Sequence, residues 1–478
     1  MATRPSVTRS RRRNRTTEPA VAVAVAADQM PRPIKVTILG AGSMFTPKLV
    51  NDVMRIPGEQ GGVIGLVDID PHRLTTMHRL IKRLVAHLGK PSWKVVASTD
   101  RKEILGGSHY LVNCIEVSGV DCVRWDNDIP LKYGIDQCIG DTIGPGGLFK
   151  ALRTIPVWLE VLRDAETLCP DAVVLNYTNP MSMMCLAAGR RSPLAVVGLC
   201  HSVQGTSRLL ASRAGVPYEE MEWECAGINH LAWFTTLKHR GADLYPLLKE
   251  KARRDLSGTP DDPADAKDLV RKDVMLQFGA FVTESSGHLS EYLPYYRKRP
   301  DLVARYCRDG YDGGSGFYAR EWPGWRKAAD RERLEMLQGK RTLEWERSWE
   351  YASWIIEARE KDMPMRMYGN VMNTSGDQGA LLTNLPLDGC VEVACFVDRK
   401  GIRPVRFGRL PAQMAALCDW NMRMFDLGTT AALERSKEAA VHALIVDPLT
   451  SAVCSPAEIR AMCLELFQAE QRYLKGYK

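Results

Sequence analysis

The sequence predicts an α/β protein in two parts: an N-terminal doubly wound parallel sheet and a C-terminal mixed α+β domain. Three observations predict it. Short apolar segments recur between residues 34 and 200, each followed by a turn and a helical stretch. Those segments are apolar throughout, not alternating, which suits parallel strands covered on both faces. After about residue 210 such segments thin out, and Trp, Tyr, Arg and Pro become frequent.

The elements follow in order. "IKVTIL" (34–39) is the first buried strand, and "GAGSMFTPKLVNDVMR" reads as a turn opening a helix. "GGVIGLVDID" (61–70) is a second strand that ends in acids. "HYLVNCIEV" (109–117), "DAVVLNYTNP" (171–180) and "PLAVVGLCH" (193–201) are further strands, with a helix over 151–168 before the second of these. A charged, Pro-containing stretch (250–268) reads as a surface loop. "GCVEVACFVDRKGIRPV" (389–405) reads as two strands about an Arg-Lys-Gly turn, and "PAQMAALCDWNMRMFDLGTTAAL" as an amphipathic helix. The expected organisation is a basic disordered extension over 1–30, a doubly wound domain over 31–210, and a C-terminal α+β domain over 211–478.

Charge argues against nucleic acid. The net +7 is concentrated at the start, where six arginines against Glu18 and Asp28 give +4 within residues 1–29. The remaining chain is near neutral and lacks the basic footprint of a nucleic-acid binder. "RSRRRNR" before "AVAVAVAA" imitates an export signal, but the apolar part is short and Glu18-Pro19 interrupts the approach to it, so a disordered extension is the better reading. Met30 stands just before the first strand as a second possible start. No apolar run has the roughly 18 residues of a membrane span. The thirteen cysteines form no CxxC pair, which excludes a zinc ribbon or a disulfide framework and suits a reducing cytoplasm.

Several motifs carry chemistry. Gly40 and Gly42 give the tight turn and close backbone approach that a pyrophosphate at a helix N-terminus needs, with Ser43 beside them. The third glycine of that fingerprint is replaced by Phe45. Asp68 and Asp70 end the second strand as candidate ribose ligands, which favours NAD over NADP. "NYTNP" (176–180) closes another strand and aims Asn179 at a ligand, or simply makes an Asn-Pro turn. "DTIGPGG" (141–147) adds Asp141 in a glycine-rich loop. "GLCHSVQGT" (198–206) sets Cys200 beside His201, and "AGINHLAW" (226–233) supplies His230. Cys200 with His230 is sensible metal ligation, a Cys–His nucleophile is the rival, and core packing is the plain reading. "FVTESSGHLSEYLPYYRK" (281–298) is dense in titratable groups, among them Glu284, His288, Glu291 and Tyr292.

Together, "ILGAGSMFTPKLVNDV", "LVDIDPHRL", "DTIGPGGLFKALRTIP", "LNYTNPM", "GLCHSVQGT", "CAGINHLAWF", "FVTESSGHLSEY", "YGNV" and "CVEVACFVD" resemble glycoside hydrolase family 4, in that family's order, from about residue 34 to the end. The α-galactosidase branch, with Cys-His-Ser, is the nearest likeness. The family stands outside two-carboxylate glycosidase chemistry. The resemblance implies NAD, a divalent metal (usually Mn²⁺) on Cys200 and His230, His201 as acid at the glycosidic oxygen, and Asn179 and Asp141 at the substrate. It implies oxidation at C3, proton loss at C2 and elimination at C1. Tyr292 is the expected base and Glu284 the second candidate. A small-molecule glycoside partner and a homo-oligomer, dimer or tetramer, are implied as well. "GFYAREWPGW" and the loop within "RMYGNVMNTSGDQGALLTNLP" depart from the α-galactosidase pattern. Arg297 and Lys298 keep open a sugar with an anionic C6 group, a uronate or sulfonate. An α-glucoside substrate, or a simple NAD-dependent sugar dehydrogenase activity, also stays open at this point.

Overall fold

The structure, a computed structural model, describes residues 29–260, 266–374 and 379–478. The basic extension expected over 1–30 lies outside them except for its last two residues. Part of the divergent 366–386 loop, residues 375–378, and the middle of the 250–268 stretch also lie outside.

One sheet runs through the described chain. Its parallel half contains β1 (Ile34–Leu39), β2 (Gly62–Val67), β3 (Trp93–Ser98), β4 (Tyr110–Asn113), β5 (Val173–Asn176) and β6 (Ala195–Gly198). They are ordered β3-β2-β1-β4-β5-β6, all parallel, which is the doubly wound dinucleotide-binding order. Consecutive residues of β1 such as Val36, Thr37 and Ile38 are fully buried. Neighbouring residues point to opposite faces, so both faces of the sheet are covered. β3, which no apolar run announces, is an edge strand with a mixed burial pattern.

The sheet continues past residue 210. β7 (Met221–Ile228), β8 (Leu231–His239), β9 (Ala242–Asp243), β10 (Phe281–Val282), β11 (Met365–Met372), β12 (Cys390–Asp398) and β13 (Gly401–Pro404) extend it in antiparallel pairings. The two halves join where β11 meets β6 at Asn370 and Gly198. A Cβ on Gly198 would stand 2.5 Å from Met181 Sδ, 2.7 Å from Cys185 Sγ and 2.9 Å from Asn370 Cβ. Only glycine lets the halves meet so closely. The start of the expected 250–268 loop is instead the end of a helix, Tyr245–Leu256. The strands expected over 389–405 are β12 and β13.

Eight helices position the site. They are α1 (Thr46–Met54), α2 (Pro71–His87), α3 (Gly144–Leu168), α4 (Met181–Arg191), α5 (Ser202–Ala214), α6 (Ser286–Glu291), α7 (Phe317–Leu337) and α8 (Ala412–Glu434). α8 is the amphipathic helix expected from its sequence. It packs on α3 and α4, where a Cβ at Gly428 would stand 2.8 Å from Met183 Sδ and 3.0 Å from Leu148 Cδ1. All thirteen cysteines are free thiols. No helix among the described residues is long and apolar enough to cross a membrane.

Candidate active site

A cleft of about 940 Å³ opens at the carboxyl ends of β1, β2, β4, β5 and β6, where open α/β sheets bind ligands. Gly40, Gly42, Ser43, Asp68, Asp70, Asp141, Asn179, Cys200, His201, His230 and Glu284 all line it.

Its cofactor end is built on the first turn. Gly40 has φ +76°, and a Cβ there would lie 2.5 Å from the Cys114 carbonyl oxygen. At Gly42 a Cβ would lie 2.8 Å from Asp68 Oδ2. The Gly42 N–H donates to that oxygen at 2.6 Å, and the Asp70 N–H donates to Asp68 Oδ1 at 2.9 Å. Asp68 thus shapes the turn from beneath. Asp70 differs: its Oδ1 caps α2 by accepting from the N–H groups of His72 and Arg73. Phe45, in the place of the third glycine, sits half exposed just before α1. On the far wall, Arg333 of α7 donates to the Gly42 carbonyl at 3.1 Å.

The other end is polar and deeper. Cys200 and His201 lie between the end of β6 and the first turn of α5, with His201 as the residue before that helix. His230 stands in the two-residue turn joining β7 to β8, in left-handed backbone at φ +64°. Glu284, between β10 and α6, is also left-handed at φ +67°. Such conformations cost non-glycine residues on the order of 1 kcal/mol or more and gather at functional sites. Cys200 Sγ lies 3.5 Å from His230 Nε2, and His230 Nε2 lies 3.5 Å from Glu284 Oε2. The ligand atoms of all three fall within 4.8 Å of one another.

This trio fits a divalent cation. Burial pushes the Cys200 thiol up, and the nearby Glu284 and Glu392 carboxylates push it further; an adjacent cation reverses that bias. Burial and the neighbouring His288 bring the His230 imidazole down to about 4, which keeps it in the neutral form that binds metals. Burial opposes charge on Glu284, but the His230, His288 and His201 imidazoles outweigh it and draw the carboxyl down to about 2. Thiol, imidazole and carboxylate converge on one point. Glu284, expected as a second base, therefore stands as a third ligand candidate.

Tyr292, the expected base, is packed against this trio. It is 1% exposed, packed behind His230 with ring centroids 6.2 Å apart, and its phenol is held far above its ordinary value by burial. The phenol nonetheless lies beside Thr142, Asp141 and Cys200, at the polar end of the site. His288 lines the cleft, with its ring 4.4 Å from that of His230.

Two groups not singled out in the sequence complete the polar end. Lys150 Nζ lies 3.0 Å from Glu116 and 3.5 Å from Asp141, and Asn179 donates to Asp141 at 3.2 Å. Burial opposes charge on Asp141, yet Lys150 and the histidines hold its carboxyl below the usual range. Glu116 follows the strand of "HYLVNCIEV", and Lys150 stands in the helix that "DTIGPGGLFKALRTIP" opens. His201 is half exposed, its Nδ1 3.8 Å from Glu350. Arg297 is turned away: it is buried and donates to Asp136, Gly313 and Ser290. Lys298 is exposed and does not line the cleft. Neither supports an anionic C6 group.

Comparison with known proteins agrees with this architecture. The Family 4 glycosyl hydrolase model matches residues 35–216, and the Family 4 glycosyl hydrolase C-terminal domain model matches 225–450. An α-galactosidase of Bacillus subtilis is 39% identical over 93% of this chain and 100% of its own length. An α-galactosidase of Rhizobium meliloti is 36% identical over 93% of this chain and 89% of its own. A 6-phospho-α-glucosidase from gut microorganisms, solved with NAD and Mn²⁺, shares the fold at TM-score 0.76 and 21% identity, covering 92% of this chain and 99% of that one. With both halves matched in order and both α-galactosidases aligned nearly end to end, the chain belongs to family 4 of the glycosyl hydrolases.

Proposed function

We propose that this chain is an NAD- and divalent-metal-dependent α-glycosidase acting on α-galactosides, by transient oxidation at C3, proton loss at C2 and elimination at C1, followed by water addition at C1, reprotonation at C2 and return of the hydride to C3. One observation carries the reading: the Cys200–His230–Glu284 cluster opens into the same cleft as the Gly40–Gly42 turn. The two α-galactosidase relatives support the sugar. So does the charge at the deep end, where Lys150 is already paired with Glu116 and Asp141; a neutral sugar fits this better than a uronate.

Bound here, NAD supplies the hydride acceptor for C3 and a cation such as Mn²⁺ the Lewis acid that makes the C2 proton acidic. The chain's residues do the rest. Gly40, Gly42 and Ser43 admit the pyrophosphate, and Asp68 sets the turn and faces the ribose. Cys200, His230 and Glu284 hold the cation. Asn179, Asp141, Lys150 and Glu116 orient sugar hydroxyls, since each offers a fixed donor or acceptor at the buried end. His201, open to solvent, gives its proton to the departing oxygen. His288, which lines the cleft, is the acceptor for the C2 proton. The reading includes a cytoplasmic homo-oligomer.

A screen of nitrophenyl α-glycosides with NAD⁺ and Mn²⁺ tests the proposal. Release of nitrophenol from the galactoside without net NADH is expected. Net NADH from free sugar, without hydrolysis, identifies a dehydrogenase instead.

A further inference from the structure

We infer that the aromatic face of α7, with the turn before it, is a second sugar subsite that takes the pyranose of the leaving group. This rests on the glycosidase reading above. Tyr311, Tyr318, Trp322 and Trp325 line the cleft that also holds Cys200 and His201. Tyr311 stacks on Trp325 (centroids 6.0 Å apart, planes at 21°), and Tyr318 stacks on Trp322 (5.2 Å, 23°). Phe317 packs edge-on against both Tyr311 and Trp325. The rings form one wall, and Tyr311 is 48% exposed.

A pyranose has a rim of hydroxyls and faces of C–H groups. The rim needs polar partners, while the C–H faces lie well against the electron-rich faces of aromatic rings. The deep end of the cleft supplies the polar partners: Asp141, His230 and His288 are each buried. The reacting sugar belongs there, against the groups that act on C2 and C3. A ring beyond the scissile bond then falls toward the open mouth. The half-exposed His201 side chain and the exposed Tyr311 ring both stand in that open part of the cleft. The aromatic wall is therefore placed for a leaving sugar.

The test compares two substrates on the enzyme with NAD⁺ and Mn²⁺. α-Galactosyl fluoride leaves a single atom, whereas an α-1,6-galactosyl disaccharide leaves a pyranose. Tyr311→Ala should lower kcat/KM for the disaccharide about tenfold, the worth of one aromatic contact of ordinary size. The fluoride should change by less than about twofold. Tyr311→Phe, which keeps the stack, should restore the disaccharide. Equal loss on both substrates, or no loss on either, overturns the subsite. Failure of the unaltered enzyme on both substrates overturns the glycosidase reading itself, and the subsite with it.

Discussion

Cys200 Sγ and His230 Nε2 lie 3.5 Å apart, although thirty residues separate them in the chain. The thiol arrives from the end of a parallel strand, the imidazole from an antiparallel hairpin turn. Their meeting at the join of the two halves makes Cys200 the sharpest test of the metal assignment. Cys200→Ser should remove bound Mn²⁺ and abolish turnover while leaving NAD⁺ affinity nearly unchanged, because the cofactor turn lies elsewhere in the cleft. Metal analysis of the purified variant, with a calorimetric NAD⁺ titration, checks both parts. Oxidants should inactivate the enzyme and thiols restore it, since the ligand is a thiolate.

Asp68 accepts from the Gly42 and Asp70 N–H groups and faces the cofactor end. Asp68→Ala should weaken NAD⁺ by roughly 1–3 kcal/mol, the cost of losing a charged hydrogen-bond partner. Asp70→Ala should instead lower thermal stability by about 1 kcal/mol through the lost cap of α2, with little effect on NAD⁺. Equal effects of the two changes on titrated NAD⁺ affinity would refute this division.

Much of this was legible in the sequence, for a physical reason. β1, β2, β4 and β5 are largely buried on both faces, so their residues had to be apolar in runs. The glycines of the first turn, and Cys200 with His201 at a strand end, announced themselves in the same way. The later strands were harder to see. β7 carries Glu222, Trp223 and Glu224 on its partly solvated stretch, so no apolar run marked it. Pro323 and Gly324 hid α7 and its aromatic face. Glu284's place as a ligand candidate depends on left-handed backbone at both His230 and Glu284, which spacing does not reveal. Tyr292 had suitable spacing and stands beside Asp141 and Cys200, but burial holds its phenol far above its ordinary value, and spacing alone did not mark His288, which lines the cleft, as a base.

Glu392 gives a pH prediction. It is fully buried beside Asn370, and burial with the Glu284 charge pushes its carboxyl up to about 8. The folded chain therefore holds a proton that the unfolded chain releases near pH 4.5. Its contribution to stability is complete below that pH and is lost as pH rises toward about 8. In metal-free protein, Glu392→Gln should flatten the fall in Tm between about pH 6 and about pH 8.5. Variant and parent Tm values that fall in parallel across that range would contradict the assignment.

His288 and Tyr292 separate cleanly by substitution. His288→Ala should cut kcat by about 10²–10⁴-fold, the usual worth of a general base, and keep NAD⁺ bound. Tyr292→Phe should retain most of the activity, because burial holds the phenol far above its ordinary value and so protonated. The reverse order in steady-state rates would return the base to Tyr292.

The mechanism as a whole comes down to one hydrogen. If the C2 proton is removed and later replaced from solvent, galactose released in D₂O from an α-galactoside, with NAD⁺ and Mn²⁺ present, must carry deuterium at C2. NMR of the product reads this directly. Deuterium at C2 in nearly every product molecule is the predicted result. Product with its original C2 hydrogen means direct displacement at C1 and contradicts the account.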